Sequence, residues 1–278
     1  MKVVALARFT FLEAVRRRFV AAAVGLTALF LVLFAVGTHF AVRELETSSL
    51  LLPSFRPVIL AQLLLTGVWL VSLASGMLGI FASCGTLSSE IESHTLQSIA
   101  VKPLHRWEIV VGKWIGLTLM ASIYTLVTTI VVIAIVWVRS GYTAPNPAVA
   151  VAALVLQASV LVSITVLVSA FLPNLAAGIA VFLLHALAMA GGIEEQIGVV
   201  LRNQTMQDIG VWLSVLVPTD AMGKIAASAL QSSPTGGVIM PGPFSVVHPP
   251  SPWMALYAAI YLAACLAFAV ARFERADL

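Results

Sequence analysis

Long uncharged apolar runs separated by short charged stretches dominate the chain. Phe19 to Phe40 is the first such run. Pro57 to Ser89 is a second, with its apolar part ending near Phe81, and Trp114 to Val138 is a third. Ser140 to Ile193 carries no charge and is long enough for two membrane crossings, each of which needs about 20 apolar residues. Pro173-Asn174 sits in its middle. Proline removes a backbone donor and disfavours helix in the residue before it, which predicts a tight turn there. Trp253 to Val270 is the last run. The pattern predicts an all-α integral membrane protein with six transmembrane helices, at about 19–40, 58–82, 109–138, 148–172, 175–192 and 253–271.

Between the runs, three segments carry their own pattern. In residues 1–18, Val3, Val4, Leu6, Phe9, Phe11, Leu12 and Val15 alternate with Lys2, Arg8, Glu13 and Arg16. That suits an N-terminal interfacial helix, with a plain charged flank as the alternative. In residues 88–102, Ser89 and Glu92 have capping-box spacing, and Ile91, Thr95, Leu96 and Ile99 share one helix face. Lys102 and Pro103 close it. This is a short capped amphipathic helix held between two spans, able either to receive force from a soluble partner or simply to lie on the surface. Residues 193–252 contain Glu194, Glu195, Arg202, Asp208, Asp220 and Lys224 and so read as a loop, with helical pieces near Ile193–Arg202 and Gln207–Leu216 and a proline-rich end.

Composition agrees with the pattern. Of 278 residues, 60% are hydrophobic and 10% charged, against about a quarter charged in a soluble domain. The net charge of +3 does not suggest nucleic acid, but the placement of the basic residues sets an orientation. Lys2, Arg8, Arg16, Arg17, Arg18, Lys102, Arg106, Lys113, Arg272 and Arg275 fall on the side of the termini. Arg43, Arg56, Arg139, Arg202 and Lys224 fall opposite. Basic residues favour the cytoplasm, so both termini are expected there and residues 193–252 outside. The two cysteines, Cys84 and Cys265, read as packed thiols, and no Cys/His cluster has metal-ligand spacing.

Polar groups inside the spans are sparse. Thr118, Ser122, Thr125 and Thr129 recur on one helix face, and Ser72, Ser75, Gly76, Gly79 and Ser83 run along another. Small residues and hydroxyls serve close helix packing or line a translocation path. Gln157 and His185 are the most polar mid-span groups and are candidate path residues.

The stretch Glu90-Ile91-Glu92-Ser93-His94-Thr95-Leu96, followed by Lys102-Pro103-Leu104-His105-Arg106-Trp107-Glu108-Ile109 and Gly112-Lys113, resembles the cytosolic loop of type-2 ABC exporter permeases, in particular the NosY-like branch. His94 stands where that family usually has glycine. The opening Ala7-Arg8-Phe9-Thr10-Phe11-Leu12-Glu13-Ala14 and the closing Arg272-Phe273-Glu274-Arg275-Ala276-Asp277-Leu278 are similar to the family's ends. The resemblance implies that residues 88–102 form a coupling helix, with Glu90, Glu92, His94, Thr95, Leu96 and Arg106 at an ATPase subunit. It implies two ATPase copies, a second permease copy as a homodimer, and a bacterial or archaeal cytoplasmic membrane. It also implies an extracellular helical segment between spans five and six. The chain has no G-x-x-x-x-G-K-[ST] phosphate loop, so ATP and Mg belong to the partner and no cofactor is expected here. The chain is expected to be a transport subunit and not an enzyme. Alternatives are a gradient-driven secondary transporter, against which the expected lack of Asp and Glu within the spans argues, an intramembrane enzyme, and a non-transporting anchoring subunit.

Overall fold

A computed structural model describes residues 2–47, 56–87, 105–231, 246 and 249–275. Every regular element among them is an α-helix: α1 (Lys2–Arg16), α2 (Arg18–Thr47), α3 (Arg56–Ser83), α4 (Arg106–Ser140), α5 (Pro147–Val168), α6 (Asn174–Val200), α7 (Gln204–Leu216), α8 (Thr219–Leu230) and α9 (Trp253–Glu274). Six of these, α2 to α6 and α9, are long and apolar enough to cross a membrane. In lipid a helix satisfies its own backbone groups, which is why uncharged runs of this length fold this way. The segment expected to be a coupling helix, residues 88–102, lies outside the described residues, as does most of the proline-rich stretch.

Helix ends follow local chemistry. The Glu108 carboxylate accepts the His105 N–H at 3.0 Å and caps the start of α4. Gly141, at φ +69, ends α4 in the left-handed conformation that glycine adopts without a Cβ penalty. α5 stops at Val168, and α6 restarts directly after Pro173.

The most enclosed span is α5, which packs on α3, α4, α8 and α9. One apolar cluster at the end that holds the termini joins Leu78, Val110, Leu117, Val162 and Phe273. Another, at the opposite or far end, joins Leu64, Val68, Val132, Leu154, Ala226 and Leu230. Exposed Leu26, Leu29, Val32 and Leu33 on α2 face outward, as expected of a lipid-facing helix.

α1 lies against α4, where Gly112 and Gly116 leave room for Leu6, Ala7 and Thr10. A Cβ on Gly116 would sit 2.5 Å from the Ala7 carbonyl oxygen. At the same end, Lys113 Nζ donates to the Thr86 carbonyl at 3.1 Å, and Arg106 donates to the Glu274 carbonyl at 3.3 Å. These bonds tie the start of α4 to the turn after α3 and to the end of α9.

The far end departs from a simple loop. α6 does not stop near residue 192; it continues to Val200 and carries Glu194 and Glu195 in its last turns. Glu194 and Glu195 lie in this extension, beyond the expected span 175–192, which itself contains no acidic residue. Gly191 and Gly192 do not break α6, because α7 folds back on this stretch. The Gly210 position touches the Gly191 carbonyl and Glu195, and Leu213 covers Gly191. Asn203 caps α7 by accepting the Met206 N–H at 3.3 Å. α8 had no counterpart in the sequence reading; α7 and α8 meet at 107° around Pro218.

Candidate functional site

At the far end, α3, α5, α6 and α8 enclose a cavity of about 680 Å3. Leu65, Val68, Leu154 and Met189 supply apolar wall. Trp69 and Ser72 enter from α3, Gln157 from α5, Gln196 from α6, and Thr219, Asp220 and Lys224 from α8. The volume and the few convergent polar groups match the general form of small-molecule sites.

Two polar constellations set its character. Gln157, 3% exposed, pairs with Ser72: the amide nitrogen lies 2.8 Å and the amide oxygen 3.1 Å from the Ser72 hydroxyl. The pair joins α3 to α5, satisfying two buried polar groups across helices. The second constellation is ionic. Lys224 Nζ donates to Glu195 Oε2 at 2.5 Å and lies 2.8 Å from Asp220 Oδ2. The i,i+4 spacing of Asp220 and Lys224 places both on one face of α8, and Glu195 reaches them from α6.

Three formal charges thus meet with two carboxylates to one ammonium. Burial raises the Asp220 pKa, outweighing the attraction of Lys224, and Glu195 adds repulsion in the same direction. For Lys224, burial acts to lower the pKa, but Asp220 and Glu195 prevail and hold it above the ordinary lysine value. Lys224 is therefore charged in the folded chain. Gly192 makes the approach possible, since the Asp220 carboxylate occupies the space a side chain there would fill.

His185 lies beneath this site. It is 1% exposed, and its Nδ1 is 3.0 Å from the hydroxyl of Thr219, which lines the cavity. Its Nε2 faces Gly76 of α3, where a Cβ would stand 3.2 Å away.

Of the residues singled out in the spans, Ser72 and Gln157 line the cavity and His185 touches it through Thr219. The α4 hydroxyls do not line it. Thr125 and Thr129 donate to the carbonyls of Ala121 and Thr125, at 2.8 and 2.7 Å within their own helix. Thr118 and Ser122 are half-buried on the same helix. Glu90, Glu92, His94, Thr95 and Leu96 lie outside the described residues. Asp220, Lys224, Glu195, Trp69 and Gln196 were not picked as site residues from the sequence. The available signal was the i,i+4 acid–base pair inside an otherwise apolar, alanine-rich segment. Among the described residues, no group of three or more His, Cys, Asp or Glu is placed to hold a metal ion, and both cysteines are free thiols.

Comparison with known families decides the class. The family model described as ABC-2 family transporter protein matches residues 4–278. The chain belongs to the ABC-2 transporter family. No curated protein matches it. With its apolar helices, membership makes it a multi-pass membrane protein and a transport membrane component.

Proposed function

We propose that the chain is the permease subunit of an ATP-driven exporter, one that forms the substrate path and is driven by a separate ATPase subunit. The observation that carries this is the family match over residues 4–278, nearly the whole chain. The loop spelling from Glu90 to Lys113 supports the finer reading, including placement with the NosY-like branch and a coupling helix at 88–102. The basic residues support cytoplasmic termini, which puts that loop on the ATP side and α7 and α8 outside. The functional unit is two copies of this chain with two ATPase subunits, and ATP and Mg bind to the ATPases.

In this arrangement Glu90, Glu92, His94, Thr95 and Leu96 dock on the ATPase, and Arg106 holds the start of α4 to the end of α9. Lys113 braces the turn that leads into the loop. ATP binding would draw the two ATPases together and move both loops, and the helices attached to them would follow.

The test is a pull-down of the tagged chain in mild detergent, with ATPase activity measured on the eluate, for wild type and a Glu92→Arg, Leu96→Asp double variant. Co-elution of a nucleotide-binding subunit with wild type and its loss from the variant is the expected result. Absence of any ATPase across several detergents would overturn the reading in favour of an anchoring or gradient-driven role.

A further inference from the structure

We propose that the far-end cavity binds an amphiphile with a cationic amine head, the head meeting Asp220 and the tail lying along the apolar wall. The proposal names a ligand class for the membrane path of the permease reading and rests on that reading for what the binding serves.

The first argument is charge. Lys224 lies between two carboxylates, and the cluster carries one negative charge in excess when all three groups are ionised. Asp220 and Lys224 line the cavity, whereas Glu195 is not among its walls. Lys224 thus serves both carboxylates, at 2.5 Å from Glu195 and 2.8 Å from Asp220, and of the two only Asp220 lies in the cavity wall where a ligand would meet it. A buried charge without a counter-charge is costly. An anionic head would add a second uncompensated charge, and a neutral head would leave the first. An ammonium removes it, and the indole of Trp69, which also lines the cavity, suits a quaternary amine.

The second argument is access. Ile193, Ile197 and Val200 line the cavity and are 53%, 44% and 59% exposed. They lie on the flank of α6, one of the helices able to cross a membrane. An entrance of exposed branched apolar side chains admits a hydrocarbon tail without desolvating polar groups, whereas a small hydrated cation gains nothing from it. The interior, about 680 Å3, is large enough for a drug-sized molecule but not for a folded peptide.

The test uses the full chain in phosphatidylcholine nanodiscs, without any ATPase. Binding of radiolabelled dodecyltrimethylammonium is measured and the signal of empty nanodiscs subtracted. Saturable binding is expected, displaced by dodecylamine but not by dodecyl sulfate. Asp220→Asn, which preserves shape and leaves Lys224 paired with Glu195, is expected to weaken binding about tenfold or more. Thermal melting confirms that this variant is folded; if it is not, the wild-type competition between ammonium and sulfate decides alone. No saturable binding, equal displacement by dodecyl sulfate, or unchanged binding by folded Asp220→Asn would each overturn the proposal. Loss of binding with an ATPase still co-eluting would refute this inference alone. Binding retained without a co-eluting ATPase would refute the exporter reading alone.

Discussion

The carboxylate of Asp220 fills the space that a side chain on Gly192 would need. One glycine on α6 therefore sets how closely α8 approaches, and that approach brings Asp220, Lys224 and Glu195 together. Gly192→Ala is expected to destabilise the chain by about 1–3 kcal/mol, the usual effect of overpacking. Its cost should shrink when combined with Asp220→Ala, which removes the obstructing group. Unfolding measurements on the two single variants and the double variant would read that coupling, and additive effects would show that the two residues do not crowd each other.

Removing the ammonium has a larger effect. Lys224→Met leaves Glu195 and Asp220 facing each other without a counter-charge, and breaking a buried pair in this way costs about 3–5 kcal/mol. Adding Glu195→Gln and Asp220→Asn to Lys224→Met is expected to restore most of the loss, since the cluster is then neutral. Thermal stability in a fixed detergent distinguishes this from a packing effect, which the two added amides would not repair.

Asp220 also predicts a pH dependence. A carboxyl whose pKa rises on folding holds its proton more tightly in the folded chain. Its contribution to stability therefore falls as pH climbs from the ordinary value of 3.8 through the folded value. Asp220→Asn should flatten the melting temperature over that window. Lys224, also raised, favours the folded chain below its ordinary value of 10.5, and that contribution is lost as pH rises past the folded value. Melting curves of wild type and Asp220→Asn from pH 4 upward would test both statements.

At the other end, Gly116→Val should detach α1 from α4, because the new side chain would collide with the backbone at Ala7 and Phe11. The break between α1 and α2 falls at Arg17, so faster tryptic cleavage around Arg16-Arg17-Arg18 in the variant is the expected readout. The spans themselves should remain protected.

Much of this architecture is visible in the sequence because a membrane helix is written as composition. Phe19 to Phe40 or Trp253 to Val270 needs only the absence of charge to be recognised, and Pro173 marks the turn between α5 and α6. The far end is written differently. α6 runs through Gly191-Gly192, where Leu213 of α7 covers the first glycine and the Asp220 carboxylate of α8 fills the space beside the second. Glu195 and Lys224 are 29 residues apart, and only the fold shows that they touch. Asp220 and Lys224 look like loop charges until α8 turns them toward a helix that itself bears a carboxylate. Of the polar span residues, Gln157 reaches the cavity through its pairing with Ser72, while Thr125 and Thr129 spend their hydroxyls on their own backbone.

Gly85, at φ +76, belongs to the turn that leads into residues 88–104, and a Cβ there would press into Asn174, the first residue of α6. From that contact α6 runs unbroken for 27 residues, about 40 Å, to Val200, carrying Glu195 in its last turns with Leu213 of α7 packed on Gly191. A rod of that length works as a lever. A tilt of about 5° imposed at the turn would shift the opposite tip by about 3.5 Å, more than the span of one hydrogen bond. A small rotation at the turn would thereby be geared into a displacement at the far end comparable with the 2.5 Å separation of Lys224 and Glu195.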